Sequence, residues 1–533
     1  MPASQNFVRG AMLLAGAAMV SKLLGSVYTI VLQNVIGDAG MGLFQMAYPI
    51  YATLLAIATA GFPVAISKLV SERLALDDLD GAKRVFRLAS LLLILFGISC
   101  FFVLFLWAPV WAHLAGDGHA VWAIRAIAPA LLIVPFMSAV RGYFQGYQWM
   151  QPTAVSQIAE QGVRVLTILA AAVWLTSVGY GPRVTAAGAA FGAVTGALAG
   201  LLILIYYWRR RHLVEARQTK QNVSSKGLVK QLLYYAFPIS LGALVVPLMN
   251  NVDVVTVVNL LKSTGMSQTL ATTNFGLLTG RAFKLMMLPT TLAAGIGIAV
   301  MPAVSEAFTM GFRRLMSDRI DLSIRLTALL ALPASVGLAL LARPINVALF
   351  ENGLGTSAVR ILAYATVFAS LQTTTAAVLQ GAGWMYLPVL NLALAGVVKL
   401  VGNLMLVPKY GIVGASVATV ISYAVASALN FYAMKRRLGE RLRFGHWLFR
   451  PVMATVIMGG VVFAMVSQWD RWGGLEAGRI STALFAVVAC TVGILVYLVA
   501  LVASGAVDED ELTHVPHVGP ALAKWFQRLG MLR

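Results

Sequence analysis

Long apolar segments recur along the whole chain and are separated by short polar segments rich in Lys and Arg. Each apolar segment holds about 20 residues or more, enough for an α-helix to cross a hydrocarbon core about 30 Å thick. The alternation of apolar and polar residues that is typical of membrane β-barrels is absent. The pattern therefore predicts an all-α integral membrane protein with about 14 transmembrane helices, because a helix satisfies its own backbone hydrogen bonds in lipid.

The hydropathy pattern also sets the expected limits of each span. We expect membrane spans over residues 8–36, 43–70, 86–107, 122–147, 154–178, 184–208, 230–260, 273–304, 320–341, 345–380, 387–407, 412–434, 450–468 and 480–503.

The positions of Lys and Arg predict the orientation of these spans. The even-numbered connections carry basic clusters such as Lys83–Arg84, Arg209–Arg211 and Lys435–Arg437. The odd-numbered connections carry scattered single charges such as Arg125 and Arg183. Because cytoplasmic loops are enriched in Lys and Arg, both termini are expected in the cytoplasm.

Composition narrows the class of function. Of the 533 residues, 59% are hydrophobic and 11% are charged, whereas a soluble domain has about a quarter charged residues. The net charge of +20 lies mostly in the loops, so topology accounts for it better than nucleic-acid binding does. No Walker A loop occurs, so ATP-driven pumping by this chain is not expected. No His, Cys or carboxylate constellation has metal-site spacing, so we assign no catalytic residue and no certain metal site.

The chain contains an internal repeat. Ala60–Glu72 resembles Ala294–Glu306, and Gln145–Met150 resembles Gln380–Met385, at an offset of about 234 residues. Each copy has an even number of spans, which predicts a parallel repeat of two six-helix lobes with substrate between them. The expected organisation is an N-lobe over 1–212, a cytoplasmic linker over 213–229, a C-lobe over 230–438, a helix pair over 450–503 and a cytoplasmic tail over 504–533.

Charged residues inside the predicted spans give the candidate site. A charge at mid-span costs a few kcal/mol, so it normally faces a bundle interior or a wet cavity. Cations outnumber acids, which favours an anionic substrate such as a phosphate and disfavours a cationic drug. The cations are Lys22, Arg164, Arg281, Lys284 and Lys399, and the acids are Glu160 and Asp253.

Several of these charges have a structural alternative. Glu160 and Arg164 lie one helical turn apart and form a local pair in that alternative. Arg281 near the outer interface would extend its guanidinium to water. Asp253 either pairs with Lys399 or binds a cation. Lys22 and Lys284 have no acid at helical spacing, so they are the strongest candidates.

Four motifs carry a family resemblance: Ser21–Gly25, Arg141–Gly146, Pro152–Arg164 and Tyr410–Ala415. Together they resemble the multidrug/oligosaccharidyl-lipid/polysaccharide exporter superfamily. Within it, the chain is similar to the MurJ-type lipid II flippases of the stage V sporulation protein B branch. The resemblance implies two lobes around a cationic cavity and a lipid-tail groove at the last two helices.

The resemblance assigns roles to single residues. Two cavity arginines of the family fall on Lys22 and on Lys284, five residues before Pro289. Lysine keeps the charge but loses the bidentate geometry of arginine. The family's second-span Arg falls near Thr53, and an eighth-span acid falls on Met287, so both are departures.

The function implied is a flippase that moves lipid II, a lipid-linked peptidoglycan precursor, to the outer leaflet by alternating access. Lys22 and Lys284 would hold the diphosphate, with Arg281, Arg164 and Lys399 supporting. Three alternatives remain open: a flippase for another undecaprenyl-pyrophosphate-linked glycan, a drug/cation antiporter, and a membrane enzyme of glycan assembly.

Some family members bind sodium, and Asp253, Asn403 and Thr419 match that candidate cation site. Lys399 stands where a neutral ligand is expected. The resemblance implies no cofactor and leaves sodium or the membrane potential open as the driving force. Expected partners are the lipid-linked anionic oligosaccharide and membrane lipids, with cell-wall synthesis proteins left open and nucleic acid excluded.

Overall fold

Helices account for every regular element that the structure describes. The structure is a computed structural model that describes the backbone of residues 3–210, 225–439, 444–474 and 478–505. Within these ranges 13 helical segments are long and apolar enough to cross a membrane. The first, Val27–Ala75, contains the end of the first predicted span and all of the second. The predicted all-α membrane fold is confirmed, while most of the predicted linker and nearly all of the tail lie outside the described residues.

Eighteen α-helices and two short irregular helical segments follow one another in the described part of the chain. The α-helices are α1 (Ala3–Thr59), α2 (Phe62–Ala75), α3 (Leu79–Leu106), α4 (Ala108–Leu114), α5 (Val121–Ile127), α6 (Ala130–Gly146), α7 (Gln151–Ser177), α8 (Pro182–Arg210), α9 (Ser225–Ser263), α10 (Gln268–Gly276), α11 (Phe283–Thr309), α12 (Arg313–Leu340), α13 (Ala342–Phe350), α14 (Thr356–Leu362), α15 (Ala365–Gly381), α16 (Tyr386–Leu438), α17 (Phe444–Arg471) and α18 (Arg479–Ala503). A 3₁₀ turn covers Gly118–Ala120, and a π-helical turn covers Leu277–Ala282.

Two of these helices contain a break that separates successive spans. Gly37 (φ 71°) interrupts α1, and Gly411 (φ 58°) interrupts α16. The prediction of one continuous tenth span over 345–380 is wrong. The chain leaves α13 at Glu351 (φ 67°) and enters α14 after Gly355 (φ 75°), because the intervening Asn-Gly-Leu-Gly sequence favours turns over helix.

The described chain falls into two compact units. One holds the described residues up to Gly280 together with Asn403–Gly411, and the other holds Arg281–Gly402 and the described residues from Ile412 onward. In this division α9 belongs with the first unit, whereas the sequence repeat groups 230–260 with the second copy. The lobe boundaries therefore stay a prediction of the repeat.

In the first unit, a glycine stripe brings α8 close to α7. Gly188, Gly192, Gly196 and Gly200 recur every four residues, which places them on one face of α8. A Cβ at Gly196 would lie 2.6 Å from the Glu160 carbonyl oxygen and 2.7 Å from the Arg164 Cβ. The stripe therefore lets the two backbones approach around the charged part of α7.

Gly196→Ala is expected to destabilise the protein by about 1 to 3 kcal/mol, because the added methyl group forces α7 and α8 apart. Gly162 supplies the matched control, since a Cβ there meets no atom within 4 Å. Gly162→Ala should be neutral or slightly stabilising, because alanine favours a helix by about 1 kcal/mol over glycine. Thermal unfolding of the purified variants measures both effects, and equal melting temperatures would contradict the packing argument.

In the second unit, α11 packs against α12 and α15, and the α17–α18 hairpin packs against α12 and α13. The Tyr497 hydroxyl on α18 donates a hydrogen bond to the Leu329 carbonyl oxygen of α12 at 2.8 Å. Arg479 at the start of α18 forms an ion pair with Glu351 and donates to the Ala348 carbonyl oxygen at 3.1 Å. These contacts attach the α17–α18 hairpin to the rest of the second unit at two points along α18.

Repeated turns support the duplication. Asp77 (φ 54°) and Gly311 (φ 73°) lie 234 residues apart, and Gln148 (φ 57°) and Gly383 (φ 88°) lie 235 apart. Both members of the second pair follow a helix and are followed by a matching hydrogen bond, from Trp149 to Phe144 at 3.0 Å and from Trp384 to Leu379 at 2.9 Å. Left-handed backbone at corresponding positions is uncommon for non-glycine residues, so the match reflects a shared local design.

Candidate functional site

Lys284 is a half-buried cation on α11. No hydrogen bond or ion pair joins its ammonium group to another side chain or carbonyl in the described part of the chain. A partly buried ammonium without a partner retains three donors for an anion. Met287, one turn further along the helix, is exposed and supplies no charge. Lys284 is therefore the predicted cation that is best placed to accept an external phosphate.

Arg281 has a structural role in the second unit. It is only 3% exposed. Its guanidinium donates to Asn352 Oδ1 at 2.8 Å and lies over the Phe350 ring, 4.8 Å from the centroid. Longer contacts reach Asn346 Oδ1 and the Leu354 carbonyl oxygen at 3.4 and 3.5 Å. These contacts anchor the loop between α13 and α14.

Arg164 belongs to a buried charge network in the first unit. Arg164 and Glu160 are 8% and 7% exposed, and their closest nitrogen and oxygen lie 2.7 Å apart. Arg141 on α6 binds the other carboxylate oxygen at 2.9 Å and the Ser156 hydroxyl at 2.7 Å. The network carries two guanidinium groups against one carboxylate, so a net positive charge remains inside the bundle.

Lys399 and Lys22 are the remaining two predicted cations, and the structure describes the side chain of Lys399 but not that of Lys22. Lys399 on α16 is 1% exposed, and its ammonium lies 5.1 Å from the centroid of the Phe283 ring. An aromatic face stabilises a buried cation electrostatically. The backbone of Lys22 is part of α1, but its side chain lies outside the described residues.

The candidate cation site is partly assembled. Asn403 donates to Asp253 Oδ1 and to the Thr256 hydroxyl oxygen, each at 2.9 Å, and all three residues are buried. Asn403 Oδ1 has no hydrogen-bond partner among the described residues. A carboxylate with neutral oxygens suits a hard cation. Thr419 belongs to the second unit, where its hydroxyl donates to the Ala415 carbonyl oxygen at 2.9 Å.

Thr53, where the family's second-span arginine is absent, takes part in a neutral contact between helices. Asn251 on α9 donates to the Thr53 hydroxyl at 2.6 Å and to the Pro49 carbonyl oxygen at 3.2 Å. The Thr53 hydroxyl itself donates to the Pro49 carbonyl oxygen at 3.0 Å. A polar bridge between α1 and α9 thus stands where a substrate-facing charge was expected.

An apolar groove of about 440 Å³ runs along the terminal helix pair in the second unit. Its walls come from α11, α12, α13, α17 and α18. Hydrocarbon groups dominate them, and the Tyr497 hydroxyl is already hydrogen-bonded. The lining residues include Pro289, Leu330, Pro333, Leu338, Ile345, Met458, Val462, Cys490, Ile494 and Leu498.

Sequence reasoning missed two members of these sites. Arg141 is not among the predicted site cations, although it lies inside the apolar run 122–147, which is the signal that could have found it. Thr256 lies three residues after Asp253, close enough on a helix to share a ligand, but an isolated threonine gives no signal of its own.

Comparison with known proteins gives a consistent family. A family model described as polysaccharide biosynthesis protein matches residues 7–308. The chain is 33% identical over 523 residues to an uncharacterized membrane protein, YabM, of Bacillus subtilis, covering 98% of this chain and 96% of that protein. It is 32% identical to the lipid II flippase MurJ of the same organism, covering 93% of this chain and 95% of MurJ. Stage V sporulation protein B is 28% identical, covering 97% and 99%.

Solved structures agree on the fold. The lipid II flippase MurJ in an inward closed conformation superposes with a TM-score of 0.66 at 15% identity, covering 92% of this chain and 98% of that one. An inward-facing multidrug resistance transporter of the MATE family superposes with a TM-score of 0.67 at 18% identity, covering 81% and 98%. The predicted resemblance to this superfamily is confirmed.

Proposed function

We propose a function from the premise that this chain belongs to the polysaccharide biosynthesis protein family: it moves a lipid-linked anionic glycan across a membrane. It is a multi-pass membrane protein of the fold shared by MurJ and MATE transporters. Lipid II, named for the MurJ relative, is the substrate proposed for this chain, with transport from the cytoplasmic to the outer leaflet of the bacterial cell membrane.

Lys284 is the observation that carries the proposal. It is a cation inside a membrane span whose charge the described residues leave unsatisfied. Keeping such a charge in a membrane helix is costly unless a ligand or water satisfies it. A diphosphate offers several charged oxygens to the three ammonium donors. A cationic drug would be repelled, which disfavours the antiporter alternative.

The apolar groove offers a place for the hydrocarbon half of the proposed substrate. Pro289 lines it and stands five residues after Lys284 on α11, a rise of about 7.5 Å along the helix. A ligand with a charged head and a long hydrocarbon tail would satisfy both features from neighbouring positions. A polyprenyl diphosphate has that construction.

The buried network of Arg141, Glu160 and Arg164 supports the same sign of charge. Its arginines are engaged with Glu160, so we assign it to a positive background field rather than to direct phosphate binding. Arg281 is likewise assigned to loop anchoring. Lys22 stays a proposed substrate ligand on the strength of the family motif, and Asp253 with Asn403 stays a proposed cation site.

Complementation tests this function. A bacterial strain depleted of its lipid II flippase should regain growth and normal shape when it expresses this chain, provided that the chain is inserted in the membrane. Failure to rescue, together with rescue of a strain that lacks another undecaprenyl-pyrophosphate glycan flippase, would assign the second substrate class. Covalent change of lipid II by the purified protein would instead favour an enzyme of glycan assembly.

A further inference from the structure

We propose that Asp117 is a gating residue, which latches the outer ends of the helices and must release them in each transport cycle. The proposal rests on the proposed transport function, but its test needs no substrate. Asp117 lies between α4 and α5, in a connection that the charge pattern assigns to the outer side. Two of the residues that it binds, Gln268 and Thr272, lie 151 and 155 positions away along the chain.

Four donors converge on the Asp117 carboxylate, which is 3% exposed. Oδ1 accepts from the His119 backbone N–H at 2.9 Å, from His119 Nδ1 at 2.8 Å and from Gln268 Nε2 at 2.6 Å. Oδ2 accepts from the Thr272 hydroxyl at 2.6 Å. The Gln268 and Thr272 bonds tie this loop to α10.

Two further bonds tie the same loop to the end of α9. Lys262 Nζ donates to the Gly116 carbonyl oxygen at 2.9 Å, and Asn259 donates to the Leu114 carbonyl oxygen at 2.8 Å. Both acceptors are backbone groups at the end of a helix, where carbonyl oxygens lack intrahelical partners. Both helices of the α9–α10 hairpin therefore bind the loop between α4 and α5.

The break in α1 meets the same hairpin. A Cβ at Gly276 would lie 1.9 Å from the Asp38 carbonyl oxygen, and a Cβ at Gly42 would lie 2.3 Å from that of Thr272. Gln33 bridges the two segments by donating to Asp38 Oδ1 at 2.6 Å and to the Gly276 carbonyl oxygen at 3.3 Å. We call this contact region, formed by residues 33–42, 114–119 and 259–276, the outer seam.

The outer seam joins segments that the repeat assigns to different copies. Residues 33–42 and 114–119 belong to the first predicted lobe, and 259–276 belong to the second. In a parallel repeat that works by rocking, release to the outer side requires these segments to separate. The seam therefore marks the contacts that opening must break.

A carboxylate suits a reversible latch. While the seam is closed, four donors replace its hydration, and hydrogen bonds to a charged group are stronger than those between neutral groups. When the seam opens toward water, hydration replaces those donors, so the released carboxylate is not stranded in an apolar environment. Asn352, at the corresponding position of the second copy, also organises its loop, by accepting from Arg281 at 2.8 Å.

Cysteine labelling tests the latch. Ala271 beside Thr272 is fully buried, so Ala271→Cys reports opening of the seam. Cys490 is replaced by alanine, and the buried Cys100 is kept as a second reporter. A membrane-impermeant maleimide is added to intact spheroplasts, and labelling at each position is read by peptide mass spectrometry.

Thr272→Val removes one donor to Asp117 while preserving side-chain shape, and Asp117→Asn weakens all four bonds. We expect both to speed labelling at position 271 by about tenfold or more. Thr273→Val is the matched control, because its hydroxyl donates only to the Thr269 carbonyl oxygen of its own helix, at 2.8 Å. The labelling rate at position 271 in Thr273→Val should stay within about twofold of the parent rate, because a substitution that breaks no contact between segments changes stability little.

Cys100 separates gating from unfolding. Fast labelling at 271 with Cys100 protected supports the latch. Fast labelling at both position 271 and Cys100 in the Asp117→Asn and Thr272→Val variants overturns the latch. It is also overturned if position 271 is labelled in these two variants at the same rate as in Thr273→Val. Since labelling needs no substrate, a failed complementation with a positive labelling result would reject the proposed substrate and keep the latch.

Discussion

Lys284→Met is expected to abolish rescue of a flippase-depleted strain. Methionine keeps the length and the apolar stem of the side chain but removes the ammonium group. A hydrogen bond to a charged phosphate is worth about 1.5 to 3 kcal/mol, so transport of a diphosphate lipid should fall about ten- to hundredfold. Growth after depletion and the rate of lipid II translocation in vesicles measure the loss.

Two variants make that result specific. Lys284→Arg keeps the charge and should retain most of the activity, because arginine also binds phosphate. Lys435→Met removes an exposed cation at the end of α16 and should leave rescue unchanged. Full rescue by Lys284→Met would remove the main support for an anionic substrate.

The second large effect is expected for Glu160→Gln. The substitution leaves the buried Arg164 and the partly buried Arg141 as two guanidinium groups without a carboxylate. Removing one partner of a buried ion pair costs about 3 to 5 kcal/mol, because the remaining charge stays desolvated. The apparent melting temperature of the purified protein should therefore fall by about 3 to 5 °C.

The exposed pair of Lys68 and Glu72 provides the control, since it has the same helical spacing and lies at the surface. Glu72→Gln should cost less than about 0.5 kcal/mol, as exposed ion pairs are weak. The double variant Glu160→Gln with Arg164→Gln restores the original net charge and should recover part of the loss. A Glu160→Gln variant as stable as Glu72→Gln would show that water already solvates the network.

Membrane insertion explains why the spans were predictable from the sequence. A helix in hydrocarbon needs a long apolar run, so hydropathy marks its position without reference to neighbours. The tenth span shows the limit of that rule. Two short helices and the turn between Phe350 and Thr356 read as one apolar run, because hydropathy averages over the glycines that break it.

The roles of the charged residues were less predictable, because partners come from other helices. Arg281 and Lys284 share one face in a regular α-helix, but the π-turn over Leu277–Ala282 changes the register just before Lys284. Arg281 is thereby engaged with the loop that contains Asn352, while Lys284 keeps its donors. The pairing of Arg141 with Glu160 depends on the packing of α6 against α7 and on no spacing within either helix.

The same limit applies to the groove. The family resemblance placed it at the helix pair 450–503, and α17 and α18 do line it, but α11, α12 and α13 supply the facing wall. A wall built from separate helices has no signature in local sequence, since each contributes ordinary apolar residues. The placement of a lipid tail there stays a proposal.

The matched turns at Asp77 and Gly311, and at Gln148 and Gly383, carry an evolutionary consequence. At each pair one copy has glycine and the other does not, yet the left-handed backbone persists in both. Under the predicted duplication, these turns have kept their backbone geometry while their residue identity changed. An ancestral chain of roughly half this length would have assembled from two identical subunits, and fusion then freed each half to acquire its own charges.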